Sequence, residues 1–307
     1  MINKCIYFIL LCFIHSYAGS TYEYGYCARS FSLSSTLVAD NYHSFNSLSN
    51  PALLNQSKGK IFSLSYYALS LDRSIQTFYY SQKLAGNAGL SIAILRTSSG
   101  EFIGTDSFNN PTNELSNKDY YGLLSFGVGS KNGTGIGLSM RLHYSNLYVN
   151  ELHIDKYTGN SITLDLGGLI NINSKLRIGM KLSNFLNPYL TWNIDRGDGL
   201  SNSYQEEYPF IISYGAYFNI DEKSNLFFQY NSVKEKIYQS TSIGYEYISH
   251  DNLILRFGCT DDIDITFGFG YNFNIKQIPL ILDYAVDLGN QGEGVSHLFT
   301  WSIGLND

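Results

Sequence analysis

The chain has 307 residues, a net charge of −6 and no basic stretch. That excludes a nucleic-acid partner, because nothing in it would neutralise a run of phosphates. Charged residues make up 15%, against roughly 25% in a soluble domain, while Tyr (26), Phe (19) and Gly (28) are abundant and Pro (5) is scarce. This is the composition of a sheet-rich chain with few breakers. The absence of a long apolar run beyond the N-terminus excludes a helical membrane protein.

Residues 1–18 read as a signal peptide. Lys4 supplies the positive start, Cys5 to Ile14 is apolar, and Ser16-Tyr17-Ala18 places small residues where a signal peptidase cuts, before Gly19. Cys5 and Cys12 leave with that segment. Cys27 and Cys259 remain, and the sequence leaves open whether they are bonded. Their spacing offers no metal site, and no cofactor is expected.

Residues 19–59 lack sustained alternation. Asn50-Pro51 marks a turn. Leu33, Leu37, Val38, Phe45, Leu48, Leu53 and Leu54 make the segment too apolar for a disordered tail. It reads either as a small helical cap or as a plug inside the structure built by residues 60–307.

From Lys60 to Leu305 the chain alternates with period two. Ile136, Leu138, Met140, Leu142 and Tyr144 fall on one face, and Gly137, Ser139, Arg141, His143 and Ser145 on the other. Leu176, Ile178, Met180 and Leu182 likewise oppose Arg177, Gly179, Lys181 and Ser183. Ile263, Ile265, Phe267 and Phe269 oppose Asp264, Thr266, Gly268 and Gly270. Phe299, Trp301, Ile303 and Leu305 oppose Leu298, Thr300, Ser302 and Gly304. Strands of about ten residues with one strongly apolar face suit a tilted crossing of a bilayer.

The pattern predicts an all-β fold, a transmembrane antiparallel β-barrel of about 14 strands with an N-terminal plug segment. The strands are placed at 60–70, 73–84, 89–98, 119–130, 135–148, 159–172, 175–187, 209–220, 225–233, 238–248, 252–259, 263–273, 277–286 and 296–305. Every second connection is a tight turn, such as Lys131-Asn132-Gly133-Thr134 or Asp221-Glu222-Lys223-Ser224. The long connections, 98–117, 149–157, 188–208 and 287–295, all fall on the other side. Short inner turns and long outer loops belong to an outer-membrane barrel, whose open edges must close because lipid offers backbone groups no partner. A lumen of this width needs filling. The resulting plan is 1–18 signal peptide, 19–59 plug, and 60–307 barrel, monomeric in the cell outer membrane and bounded by its lipid.

Asn50-Pro51-Ala52-x-Leu54 ahead of the first strand resembles the plug motif of FadL-type outer-membrane transporters. Gly244-Tyr245-Glu246-Tyr247, Leu255-Arg256-Phe257-Gly258, Gly268-Phe269-Gly270 and Asp283-Tyr284-Ala285, in that order, are similar to the PorV/PorQ branch of that superfamily. Leu182-Ser183-Asn184-Phe185 and Tyr208-Pro209 fit as well. The chain departs at its end, where Leu305-Asn306-Asp307 replaces the family's aromatic terminus. The resemblance implies an accessory or adaptor in type IX-like protein secretion, partnered by secreted proteins or secretion components. The alternative it implies is a transporter of hydrophobic small molecules.

Arg141, His143, Asp165, Arg177, Lys181, Glu246, Arg256 and Asp283 are predicted to face the lumen. They line a polar path, or they pair with one another and with the plug, because buried charges need partners. No G-x-S-x-G occurs, His143 is predicted to face inward, His153 and His250 lie in connections and His297 starts the last strand, which argues against an enzyme. Tyr120, Tyr121, Tyr144, Tyr148, Tyr238 and Tyr284 near strand ends are expected to form interfacial girdles.

Overall fold

The computed structural model describes residues 25–40, 42–105, 108–149, 156–186, 189–195, 201–233, 238–250, 252–261, 264–276, 278–288 and 294–305. The signal segment, Ile263 and the Tyr238 side chain lie outside the described residues.

The strands are β1 (Lys60–Ala68), β2 (Ser74–Leu84), β3 (Ala88–Ser98), β4 (Phe102–Thr105), β5 (Pro111–Gly129) and β6 (Gly135–Val149). They continue with β7 (Lys156–Asn171), β8 (Leu176–Leu186), β9 (Tyr189–Asp195), β10 (Ser201–Glu207), β11 (Ile211–Asn219) and β12 (Ser224–Val233). The last are β13 (Tyr238–His250), β14 (Leu253–Thr260), β15 (Ile265–Ile275), β16 (Ile278–Asp287) and β17 (Ser296–Leu305). Fourteen of them close a ring through β1, β2, β3, β5 to β8 and β11 to β17, all antiparallel. The seam runs from Lys60 opposite Leu305 to Ala68 opposite His297.

The 14 ring strands are those the period-two pattern predicts, with the same faces. Ile136, Leu138, Met140 and Leu142 are exposed on the outside, while Ser139 and His143 are buried within. Ile136 is 63% exposed and Ile94 52%. So large an apolar outer wall is stable only against lipid. Its folded form is expected to run faster than its boiled form on a detergent gel of membrane fractions. Recovery as a water-soluble protein would contradict the barrel.

Two connections differ from expectation. The stretch 98–117 contains β4 and the start of β5, and 188–208 contains the β9–β10 hairpin. The cause is that β5, β6 and β7 run past the barrel rim. Their extra length leaves backbone groups to pair, which β4 and β9 supply at Phe102 opposite Leu115 and Lys156 opposite Asp195. Tyr121 is also not part of a girdle. It is buried inside and stacks on the His143 ring at 4.1 Å. Its register opposite His143 fixes that inward face.

The N-terminal segment lies against the inner wall. It holds two short helices, α1 (Ala28–Ser32) and α2 (Asn46–Ser49), and a 3-10 turn over Pro51–Gln56. The Ala28 N–H donates to Thr300 Oγ1 (2.9 Å), the Val38 N–H to Gln229 Oε1 (3.1 Å), and Ser44 Oγ meets Ser63 and Ser302 at 2.7 and 3.0 Å. Its leucines Leu33, Leu37 and Leu53 pack with Leu169, Tyr217 and Phe227 of the barrel. Each such side chain contributes about 1.5–3 kcal/mol on burial. Both cysteines are free, Cys27 buried and Cys259 exposed, and burial pushes the Cys27 thiol up to about 12.

Candidate functional site

The first component is the seat of the Asn-Pro-Ala turn. Asn50 Oδ1 accepts the Ala52 N–H (3.0 Å), which caps the 3-10 turn, and Pro51 starts it without an N–H to satisfy. Asn50 Nδ2 donates to the carbonyls of Val38 (2.8 Å) and Gly168 (3.0 Å), tying the segment to β7. Leu54 is fully buried beside Ala52.

The wall beneath is bare backbone. Gly89, Gly127, Gly137 and Gly167 lie in one register row across β3, β5, β6 and β7. A Cβ on Gly137 would overlap the Pro51 carbonyl carbon and the Ala52 nitrogen, and one on Gly127 the Pro51 oxygen. The close approach of turn to wall therefore requires glycine at these positions. Gly137→Val is expected to lift the turn off the wall while the outer face is unchanged. Faster protease cleavage near Asn50 in an intact barrel would report this, and unchanged cleavage would contradict the seat.

The second component is a buried ion network. Both terminal nitrogens of Arg29 donate to the Asp40 carboxylate, and its Nε donates to Glu246 Oε2 at 3.1 Å. The same Oε2 accepts Arg256 Nε at 2.8 Å, and Arg256 Nη1 donates to Asp283 Oδ1 at 2.7 Å. The Tyr42 ring lies 4.4 Å from the Arg29 guanidinium carbon. Three carboxylates and two guanidiniums thus alternate from the segment into β13, β14 and β16. Gly270 opposes Asp283 and leaves the space that Arg256 occupies.

The third component is an interruption in the wall. In the β7–β8 pair, Leu164 faces Leu186 but Leu166 faces Leu182, so β8 advances four residues where β7 advances two. Asn184 takes up the excess at φ 57°. Its N–H, which has no strand partner there, donates to Asp165 Oδ1 at 3.0 Å, and its Nδ2 donates to the Pro209 carbonyl at 3.1 Å. Asp165 is in turn held by Arg141 Nη2 (2.6 Å) and Lys181 Nζ (3.3 Å). Lys181 also donates to the Leu48 carbonyl of the N-terminal segment at 2.8 Å. One carboxylate therefore joins β6, β7, β8 and the segment.

Beside this interruption the outer wall is hollowed. A groove of about 840 Å³ runs over β3, β5, β6 and β7 below the β9–β10 hairpin. Ile94, Leu142, Ile162, Tyr120, Tyr144 and Tyr189 line it. Gly122, between Ile94 and Leu142 in register, contributes no side chain to its floor.

Of the remaining predicted lumen residues, His143 meets Asp119 Oδ1 through Nε2 (3.1 Å) and the Tyr208 hydroxyl through Nδ1. Arg177 Nη1 donates to Gln56 Oε1 (2.9 Å) and the Asp40 carbonyl (3.3 Å). The eight predicted residues thus gather in the Glu246–Arg256–Asp283 network, the Arg141–Asp165–Lys181 cluster, the His143 contact and the Arg177 tether. Sequence reasoning missed Arg29, Asp40 and Asn184, which complete the first two. It also missed the glycine row, because the register that sets Gly127 opposite Gly137 pairs Gly129 with Gly135, one residue off what a turn at Lys131–Thr134 alone would give.

No family model and no curated protein matches the sequence. Among solved structures, the P. putida toluene transporter TodX is similar with a TM-score of 0.67 at 14% identity, covering 93% of this chain and 100% of that one. The Ralstonia pickettii toluene transporter TbuX also has a TM-score of 0.67, at 12% identity, covering 92% and 99%. A Pseudomonas aeruginosa FadL homologue has 0.59 at 10%, covering 90% and 97%. At these identities the likeness is one of fold: the chain shares the antiparallel barrel architecture of these proteins.

Proposed function

We propose that this chain is an outer-membrane channel for hydrophobic small molecules, exported by residues 1–18 and plugged by residues 19–59. The observation that carries the reading is the broken β7–β8 pairing next to an apolar groove. A continuous ladder of backbone hydrogen bonds is a closed wall, and an apolar solute crosses it only where the ladder is interrupted. The groove has the size and the mostly apolar, aromatic lining of a small-molecule site. The fold neighbours described as toluene transporters support the same substrate class. The segment inside the lumen blocks a straight aqueous path, so selectivity for apolar solutes follows from route rather than from any reactive group. No catalytic step is part of this reading.

The secretion-adaptor role remains the second reading. The observation favouring it is that Glu246, Arg256 and Asp283, one from each of three motifs that resemble the PorV/PorQ branch, meet in one network.

One experiment separates the two. Purified protein in lipid vesicles is assayed for labelled toluene uptake, and the exported proteins of cells with and without the gene are compared. Protein-dependent uptake with an unchanged exported set supports the channel. A defined loss of exported proteins without uptake overturns it in favour of the adaptor.

A further inference from the structure

A second, smaller cavity lies inside the barrel at its short-turn end. It has a volume of about 130 Å³ and sits between the N-terminal segment and the inner faces of β16, β17 and β1. Tyr42, His43 and Ser44 form one side, and Ile61, Pro279 and Ile281 form the other. Ser302 and Gly304 complete the floor.

The polar groups here are already occupied or cannot charge. Ser44 Oγ and Ser302 Oγ bond each other at 3.0 Å, and Ser44 also meets Ser63. Burial, reinforced by nearby Lys58, holds the His43 imidazole down to about 4, so near neutral pH it presents an uncharged ring. Gly304 adds no side chain, and a Cβ there would meet Pro279 Cγ at 3.2 Å. The surface left to a guest is isoleucine, proline and aromatic carbon. An engineered apolar cavity of roughly 150 Å³ accepts benzene, and this half-open space is of similar size. One six-membered aromatic ring therefore matches this space, whereas a long acyl chain does not.

We infer that this cavity is a binding site for a single aromatic hydrocarbon ring, the last apolar station before the periplasm. Its place on a route rests on the channel reading above; its existence as a site does not.

The test uses crystals of the full chain soaked in bromobenzene, whose bromine is located by anomalous scattering. One bromine peak bounded by Ile281, Ile61 and Tyr42 is expected. Ile281→Trp and, from the adjacent strand, Gly304→Leu both fill the space. Each is expected to abolish the peak and lower vesicle uptake of toluene severalfold while the barrel keeps its heat-shifted gel mobility. Two variants on different strands guard against one failing to fold. No peak in the unaltered protein overturns the site. A peak that both variants remove without changing uptake overturns its place on the route. Absence of uptake by the unaltered protein overturns the channel reading instead, and the bromine peak then decides the site alone.

Discussion

Replacing Glu246 by alanine is expected to cost about 3–5 kcal/mol of stability, because it breaks a buried ion network by removing one partner. Glu246 Oε2 is the single atom shared by Arg29 and Arg256. Without it, two guanidiniums, both about 2% exposed or less, face each other with no carboxylate between them. Asp40 and Asp283 remain with their own arginines, so repulsion falls on the junction between segment and wall. The expected consequence is release of that side of the segment and a higher conductance in planar bilayers. Denaturant unfolding in vesicles and single-channel recording measure the two effects. Unchanged conductance at lowered stability would mean that the glycine seat alone retains the segment.

Asp165→Ala is expected to have the largest effect on transport. The change leaves Arg141 and Lys181 without their shared carboxylate and the Asn184 N–H without an acceptor. A stability loss of about 3–5 kcal/mol follows from removing the central partner of a largely buried ionic cluster. The bulge loses the group that substitutes for strand pairing, so β8 is free to pair regularly with β7 and close the interruption. Toluene uptake is then expected to fall toward that of empty vesicles. The triple change Arg141→Met, Asp165→Leu and Lys181→Met separates the two effects, since apolar replacement of a buried ionic cluster restores stability. Stability regained without uptake supports a doorway at the bulge. Uptake regained along with stability contradicts it.

Much of the barrel is legible in the sequence because lipid enforces one rule on every strand. A residue such as Leu138 must be apolar because it faces acyl chains, and its neighbour Ser139 must be small because it faces the lumen. The β9–β10 hairpin obeys no such rule, because it stands beyond the membrane. Thr191 and Asn193 alternate with Leu190 and Trp192 too weakly to announce a strand. Asp165 is readable as inward-facing, but its task depends on Asn184, and the excess residues in β8 leave no mark in the pattern. Arg29 and Asp40 sit in a segment without periodicity, so nothing in the sequence brings them to Glu246. Glu246 and Arg256 are both readable as inward-facing, but they stand directly opposite each other only through the register shift between Ile248 and His250, which the turn does not announce.

The segment's partners have a consequence for how the molecule is built. Ala28 bonds a residue 272 positions away and Arg29 one 217 positions away, so a stretch near the start of the chain awaits strands among the last to be made. Contacts so distant in sequence form slowly. The seam between β1 and β17 closes over an interior already shaped to the segment, with bare glycine where Pro51 and Ala52 rest. Assembly of this molecule is therefore a matter of timing as much as of affinity: the segment reaches its full set of partners only when the last strands, which carry several of them, are in place.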